Sequence, residues 1–261
     1  MTLAVARTCI SSGLRLLPLG PTIGYHVGKA TYPQPSAPER TPDRHRQDWG
    51  RFDTLGCTYY VAETPETAFA EVLAFFKLPN GALDPLADIA DALGISRAQA
   101  IAYVVEDWEA IESDFRGVGA VPAEWRTSRR LYEVQLEDDG WVVDIQHPDS
   151  IAALEAAHEG RIARWLAQQG VPALTVSTLT SENRLVTTML AELIREAVLD
   201  DGTSPRGVHF GSKHGGAWCR GIWIPESAPP APRAVILSET LIAIDDPALL
   251  TTARRFRLDV G

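Results

Sequence analysis

The chain has 261 residues, 45% of them hydrophobic and 22% charged, a near-average globular composition that argues against a disordered, collagen-like or membrane-spanning identity. Its 24 Lys+Arg against 34 Asp+Glu give a formal net charge of −10, which repels phosphate backbones and anionic lipid and so disfavours nucleic acid and membrane as partners. The 3 cysteines, Cys9, Cys57 and Cys219, are too few for a disulfide scaffold and lack C-x-x-C spacing, so a reduced cytoplasmic setting is expected.

Arg7 and Arg15 interrupt the mildly apolar start MTLAVARTCISSGLRLLPLG, and no targeting signal is expected there. Four prolines and a run of charges between Tyr32 and Trp49 predict a loop. Cys57 to Glu63 is rich in β-formers and ends at Thr64-Pro65, an N-cap hydroxyl followed by proline at the first helical position. The helix that follows carries Ala68, Phe69, Val72, Leu73 and Phe76 on one stripe, with Glu71 at its edge and able to face a cleft. Residues 84–115 form an acidic stretch of helical periodicity divided by Gly94, predicted as a helical insertion. RLYEVQL and GWVVDI flank Glu137-Asp138-Asp139-Gly140, which predicts a hairpin. Helices are predicted from Asp149 to Gln169, closed by Gly170, and from Ser181 to about Leu199, closed before Gly202. Short strands then follow in RGVHFGS, AWCRGIWI, RAVILSE and RRFRLDV, with a proline linker at Ala228 to Arg233. The strands cluster and do not alternate with helices, so one α+β domain over 1–261 with a mixed, largely antiparallel sheet is expected.

Two segments can carry chemistry. In GRFDTLGCTYYVAETPETAFAEV, Gly50 to Val72, Arg51 is a fork-shaped donor suited to a diphosphate or carboxylate, and Glu71 is an acceptor on the helix edge. In GVHFGSKHGG, Gly207 to Gly216, glycines let backbone N–H groups and the Ser212 hydroxyl approach an anion or a sugar. Either segment taken alone is equally an exposed ion pair or an ordinary glycine-rich turn.

Together, G-R-F, T-Y-Y-V-A-E-T-P-E-T-A-F-A-E and G-V-H-F-G-S-x-H-G-G resemble the RES domain family, named for an Arg, a Glu and a Ser, here Arg51, Glu71 and Ser212. Tyr60 matches the family's tyrosine in Tyr60-Val61-Ala62. The resemblance implies a fold akin to ADP-ribosyltransferases and cleavage of the nicotinamide–ribose bond of NAD, as the toxin of a toxin–antitoxin pair with an Xre-like antitoxin. It implies that Arg51 holds the diphosphate, Glu71 stabilises the ribose cation, Tyr60 stacks on nicotinamide and Ser212 bonds diphosphate or ribose, with no metal. The sequence departs from the family where a further early basic residue is usual, leaving His26 or Lys29 as its nearest substitute.

The acceptor stays open among water, phosphate and a macromolecule, the last making a mono-ADP-ribosyltransferase; a homo-oligomer is also left open. A helix-turn-helix reading of Ile89 to Arg97 lacks basic residues beyond Arg97. Trp125 with Arg126, Arg129 and Arg130 reads as cation–π or salt-bridged surface. His147, His158, His209 and His214 show no ligand spacing with a third donor. Cys57 and Cys219 read as small core residues.

Overall fold

The computed structural model describes residues 5–32, 38–77, 90–96, 99–100, 103, 119–136, 140–156, 161–224 and 234–261. The strands are β1 (Arg7–Thr8), β2 (Arg15–Pro18), β3 (Thr22–Lys29), β4 (Glu39–Arg40), β5 (Gly56–Ala62), β6 (Ala120–Val121), β7 (Arg129–Leu136), β8 (Trp141–Asp144), β9 (Gly207–Gly211), β10 (Trp218–Ile224), β11 (Ala234–Leu241) and β12 (Asp259–Val260). The helices are α1 (Pro65–Leu73), α2 (Ala123–Thr127), α3 (Pro148–Ala156), α4 (Arg161–Gln168), α5 (Val176–Leu179), α6 (Arg184–Glu196) and α7 (Pro247–Phe256), with 3-10 turns at Arg46–Asp48 and Ala74–Phe76.

The fold is mixed α+β with a mostly antiparallel sheet, as its sequence predicts, and that sheet is large and curled. Its strand order is β1-β2-β8-β9-β10-β5-β3-β7-β11, with β4 paired to β5, and β6 pairs in parallel with β12. Within the large sheet, among the described residues, only β8 and β9 run parallel.

One discontinuity explains the curl. The β2–β8 ladder stops at Pro18 opposite Trp141, and the β3–β7 ladder resumes at Thr22 opposite Leu136. Between them Leu19 N–H donates to Gly140 O at 2.9 Å. The two ladders are therefore successive stretches of one long strand pair, and β9, β10 and β5 bridge from β8 on the first to β3 on the second. The Buried Arg220 of β10 holds the break, donating to Leu19 O at 2.6 Å and to Thr22 Oγ1 at 3.0 Å.

Strand side chains alternate between the two faces. Tyr59, Val61, Val134, Leu136, Val142 and Ile222 pack in one buried cluster on one face. Ala62, Val208, Phe210, Cys219 and Trp223 face the larger core, where they meet Phe69 and Leu73 of α1, Leu190 and Ile194 of α6, and Leu249 and Phe256 of α7. Each Val, Leu, Ile or Phe among them contributes about 1.5–3 kcal/mol by leaving water.

Several elements differ from expectation. Residues 130–136 and 140–145 do not form a hairpin, because β7 is filled on its two edges by β3 and β11, and β8 by β2 and β9. Gly-containing polar sequence marks a break in a long strand as readily as a reversal, and local pattern does not separate the two. Of the helix expected over 149–169, α3 and α4 are described and 157–160 lie outside the described residues. The helix expected from Ser181 starts one turn later, capped by Asn183, whose Oδ1 accepts from Val186 N–H at 3.3 Å. In RRFRLDV, Arg254 to Phe256 finish α7 and only Asp259 and Val260 are strand.

The loop around residues 32–49 contains β4 and a 3-10 turn. Of the segment 84–115, residues 90–93 are helical and Gly94 takes φ 64°. Arg97, most of the expected insertion and the 228–233 linker lie outside the described residues. Arg129 sits over the Trp125 ring at 4.7 Å, and Arg130 meets Glu239 at 3.7 Å, as that cluster's composition suggests. No helix among the described residues is long and apolar enough to cross a membrane.

Helix α7 shows how a short local signal can be overlooked inside a β-rich segment. Asp246 Oδ1 accepts from Ala248 and Leu249 N–H, each at 2.9 Å, and Pro247 fills the first helical position. Asp246→Ala is expected to cost about 0.5–2 kcal/mol through the lost cap. Leu249→Ala, at a fully buried position, is expected to cost about 2–5 kcal/mol through the cavity it leaves. Urea unfolding at matched slope measures both, and an Asp246 variant as stable as the parent would show that the cap is not what starts this helix.

Candidate active site

Arg51 lies in the loop before β5 and keeps only 6% of its surface exposed. A buried carboxylate builds that loop: Asp53 accepts from Gly50 N–H at 2.8 Å, from the Tyr60 hydroxyl at 2.8 Å and from Arg40 Nε at 2.6 Å. Phe52 N–H donates to the Tyr60 hydroxyl oxygen at 3.0 Å, and Trp223 Nε1 donates to Phe52 O at 2.9 Å. A Cβ on Gly50 would stand 2.6 Å from Asp53 Oδ1 and 2.8 Å from the Tyr60 hydroxyl, so the approach requires glycine.

Helix α6 bolts the same loop from outside. On the N-terminal side Arg46 donates to both Glu192 oxygens at 2.8 Å and to Thr188 Oγ1 at 3.3 Å. On the other side Arg195 donates to Thr54 Oγ1 at 2.7 Å and to Leu55 O. Arg51 is thereby fixed between two anchored flanks.

The Arg51 guanidinium lies 5.6 Å from the Phe210 ring and 5.9 Å from Phe52, and its Nε has no hydrogen-bond partner. Burial pulls its pKa down, the Glu71 carboxylate opposes this, and the Arg184 cation pushes further down. A guanidinium stays charged in a protein, so these effects are a measure of the cost of holding the cation there.

Glu71 is delivered by α1, whose Thr64 cap accepts from Thr67 N–H at 3.2 Å and whose buried stripe includes Ala68, Phe69 and Leu73. Ser212, at the end of β9, donates to Glu71 Oε1 at 2.7 Å across a separation of 141 residues. His214 N–H donates in turn to Ser212 Oγ at 3.1 Å. The serine proton is committed to the glutamate, which orients the carboxylate.

A cavity of about 300 Å³ opens among these elements, at the lower end of the roughly 300–1,000 Å³ of small-molecule sites. Its walls include Arg51, Tyr60, Glu71 and His26, all singled out in sequence, and Ser212 reaches it through Glu71. Tyr25, Phe210 and Cys219 complete the apolar side.

His26 is not the basic substitute its position suggests. Its Nδ1 faces Tyr60 O at 2.9 Å, its ring lies 4.5 Å from that of Tyr59, and burial lowers its pKa to about 4, the carbonyl opposing only weakly. It is neutral near pH 7. The cation found there is Arg184, in the first turn of α6, which also lines the cavity. Sequence reading passed over Arg184 because it reads as an ordinary helix-surface arginine; Asn183, the cap that precedes it, is the one local signal of its place.

Cys219 is buried against this wall and burial raises its thiol pKa, with Glu71 adding to the effect and Arg51 opposing it. Among the described residues no cluster of three or more His, Cys, Asp or Glu could hold a metal ion.

No family model matches this chain, and no curated protein matches it. Among solved structures it is similar to a chain in the crystal structure of the M. tuberculosis MbcT–MbcA toxin–antitoxin complex, with 12% identity, a TM-score of 0.45, and coverage of 93% of this chain and 91% of that chain.

Two outcomes follow from the geometry. Tyr60→Phe removes a hydroxyl bonded to both Asp53 and Phe52 N–H, leaving buried polar groups unpaired, and is expected to cost about 1–3 kcal/mol in urea unfolding; an unchanged midpoint would show that the loop does not depend on it. His26 has a folded pKa of about 4, below its unfolded value of 6.5. The unfolded chain therefore binds more protons between these values, and stability rises with pH from about 4 to 6.5 and then levels. The contribution is on the order of 3 kcal/mol. Burial of His209 acts with the same sign, so His26→Gln is expected to flatten the profile in part, and an unaltered profile would place the titration elsewhere.

Proposed function

We propose that the cavity takes NAD as substrate and that the chain cleaves its nicotinamide–ribose bond, as the resemblance to RES domains implies. The observation that carries this reading is the gathering of Arg51, Tyr60, Glu71 and Ser212 about one cavity, with Ser212 hydrogen-bonded to Glu71 from 141 residues away. Four unrelated residues chosen for a motif have no physical reason to meet in this way.

The chemistry suits the groups. When the bond from ribose C1′ to the pyridinium nitrogen breaks, its electron pair goes to that nitrogen, so nicotinamide leaves neutral and needs no general acid. Positive charge develops on the ribose, and a fixed carboxylate beside it is stabilising in a site partly closed to water. Glu71 supplies that carboxylate, held by Ser212. Arg51, buried and without a bonded carboxylate among the described residues, supplies the cation for the diphosphate. An acceptor then adds at C1′: water gives ADP-ribose and loses a proton, and phosphate gives the corresponding phosphate ester. In this reading Tyr60 contributes its ring to the wall while its hydroxyl belongs to the Arg51 loop.

On the same resemblance the protein acts as the toxin of a pair, restrained by a cognate Xre-like antitoxin. NAD is consumed as substrate and no metal takes part.

Nicotinamide release by the purified protein, measured with and without phosphate, tests the reading. Glu71→Gln is expected to lower turnover by about 10²–10³ with little change in KM, because its interaction strengthens as ribose charge develops. Arg51→Ala is expected to raise KM as well as lower turnover, since the bound substrate already uses it. Near-full turnover by folded Glu71→Gln would make the glutamate structural and the proposed mechanism wrong.

A further inference from the structure

A second arginine faces the cavity that holds Arg51. Arg184 lines it from the first turn of α6, and its NH1 is buried without a hydrogen-bond partner. The Arg184 charge acts unfavourably on Arg51, so the fold holds two like charges near one another against a largely apolar wall. Glu71 faces both of them but is engaged by Ser212. Two guanidinium groups converging on a cavity match an anion with several oxygens better than either does alone.

The outer side of Arg184 has a different partner. Glu182 Oε2 accepts from Arg184 NH2 at 2.5 Å, and Glu182 Oε1 meets Lys213 Nζ. Lys213 follows Ser212 in the β9–β10 loop, and its pKa is lowered first by burial and next by the Arg51 cation. One carboxylate thus spans two cations, one on α6 and one in the β9–β10 loop. The Glu182 side chain is 62% exposed, and ion pairs of so exposed an acid are weak.

We propose that Arg184, together with Arg51, grips the phosphates of the substrate, and that Glu182 is a resident counter-ion that these phosphates displace from Arg184 and Lys213. This rests on the reading of the cavity as an NAD site. Arg184 is then a binding residue outside the Arg-Glu-Ser set, supplying the second cation that His26, being neutral, does not. Glu182 competes with the substrate, so removing its charge strengthens binding.

The test uses the full chain with ADP-ribose and inorganic pyrophosphate as probes, by calorimetry at fixed ionic strength. Arg184→Ala is expected to weaken ADP-ribose binding by about 10- to 100-fold, and Arg184→Lys to restore only part of it, because the fork is lost while the charge remains. Glu182→Gln is expected to tighten binding of both probes by about 2- to 5-fold. Asn183, which caps α6, is untouched by these changes, and unfolding midpoints equal to the parent's confirm that the variants are folded.

Binding unchanged by Arg184→Ala, binding unchanged or weakened by Glu182→Gln, or no binding of either probe to the parent at millimolar concentration would each overturn the proposal. Nicotinamide release with an unaltered NAD KM in Arg184→Ala would also overturn it while leaving the activity standing. Arg184-dependent probe binding in a protein that releases no nicotinamide would do the reverse, retaining the grip and removing the activity.

Discussion

The site depends on a cation kept out of water. Arg51 has 6% of its surface exposed and an unpartnered Nε, a placement whose desolvation cost no bonded carboxylate among the described residues offsets. Two aromatic rings give it modest stabilisation, and Glu71 gives charge at a distance. The rest must come from scaffolding that leaves the guanidinium no other place to go. Asp53, Tyr60 and Arg40 provide it beneath the loop, and Arg46 and Arg195 fasten the flanks to α6.

That scaffolding makes α6 the organising element of the site. One helix holds the loop that carries Arg51 and presents Arg184 from its own first turn, so both cations are positioned by a single rigid body. Its buried Val186, Leu190, Ala191 and Ile194 set its height over the sheet. The opposite wall is as well determined, since α1 follows β5 after a two-residue connection and carries Glu71. The Ser212–Glu71 bond then joins this wall to the end of β9. The curl of the sheet is what makes the three meet: without the break at Leu19, β9 and β10 would have no gap to bridge, and Ser212 would not lie beside α1.

Electrostatically the mouth runs against the chain. Net charge is −10, yet the Glu71 carboxylate acts on Arg51, Lys213 and His214, and Arg51 and Lys77 both act on Lys213 and His214. An acidic protein repels polyanions over most of its surface, and a cationic cluster beside its cavity reverses that field locally.

The sequence by itself determined the local parts. The strand at Cys57, the Thr64-Pro65 start of α1, the edge position of Glu71 and the glycine-rich segment at Ser212 follow from capping, periodicity and turn chemistry within a few residues, and the structure reproduces their local form. The α+β class followed from the clustering of short strands. Partnership did not follow, because hydrogen-bond partners in a sheet are chosen by distant segments: residues 130–136 and 140–145 look like a hairpin and are two stretches of one interrupted strand. The importance of Arg184 and Asp53 was equally hidden, since burial and the direction a side chain faces are properties of the packed whole. Residue types and spacing named the groups able to do chemistry; only the tertiary structure decided which of them share a cavity, which are neutral there, and which carboxylate answers which arginine.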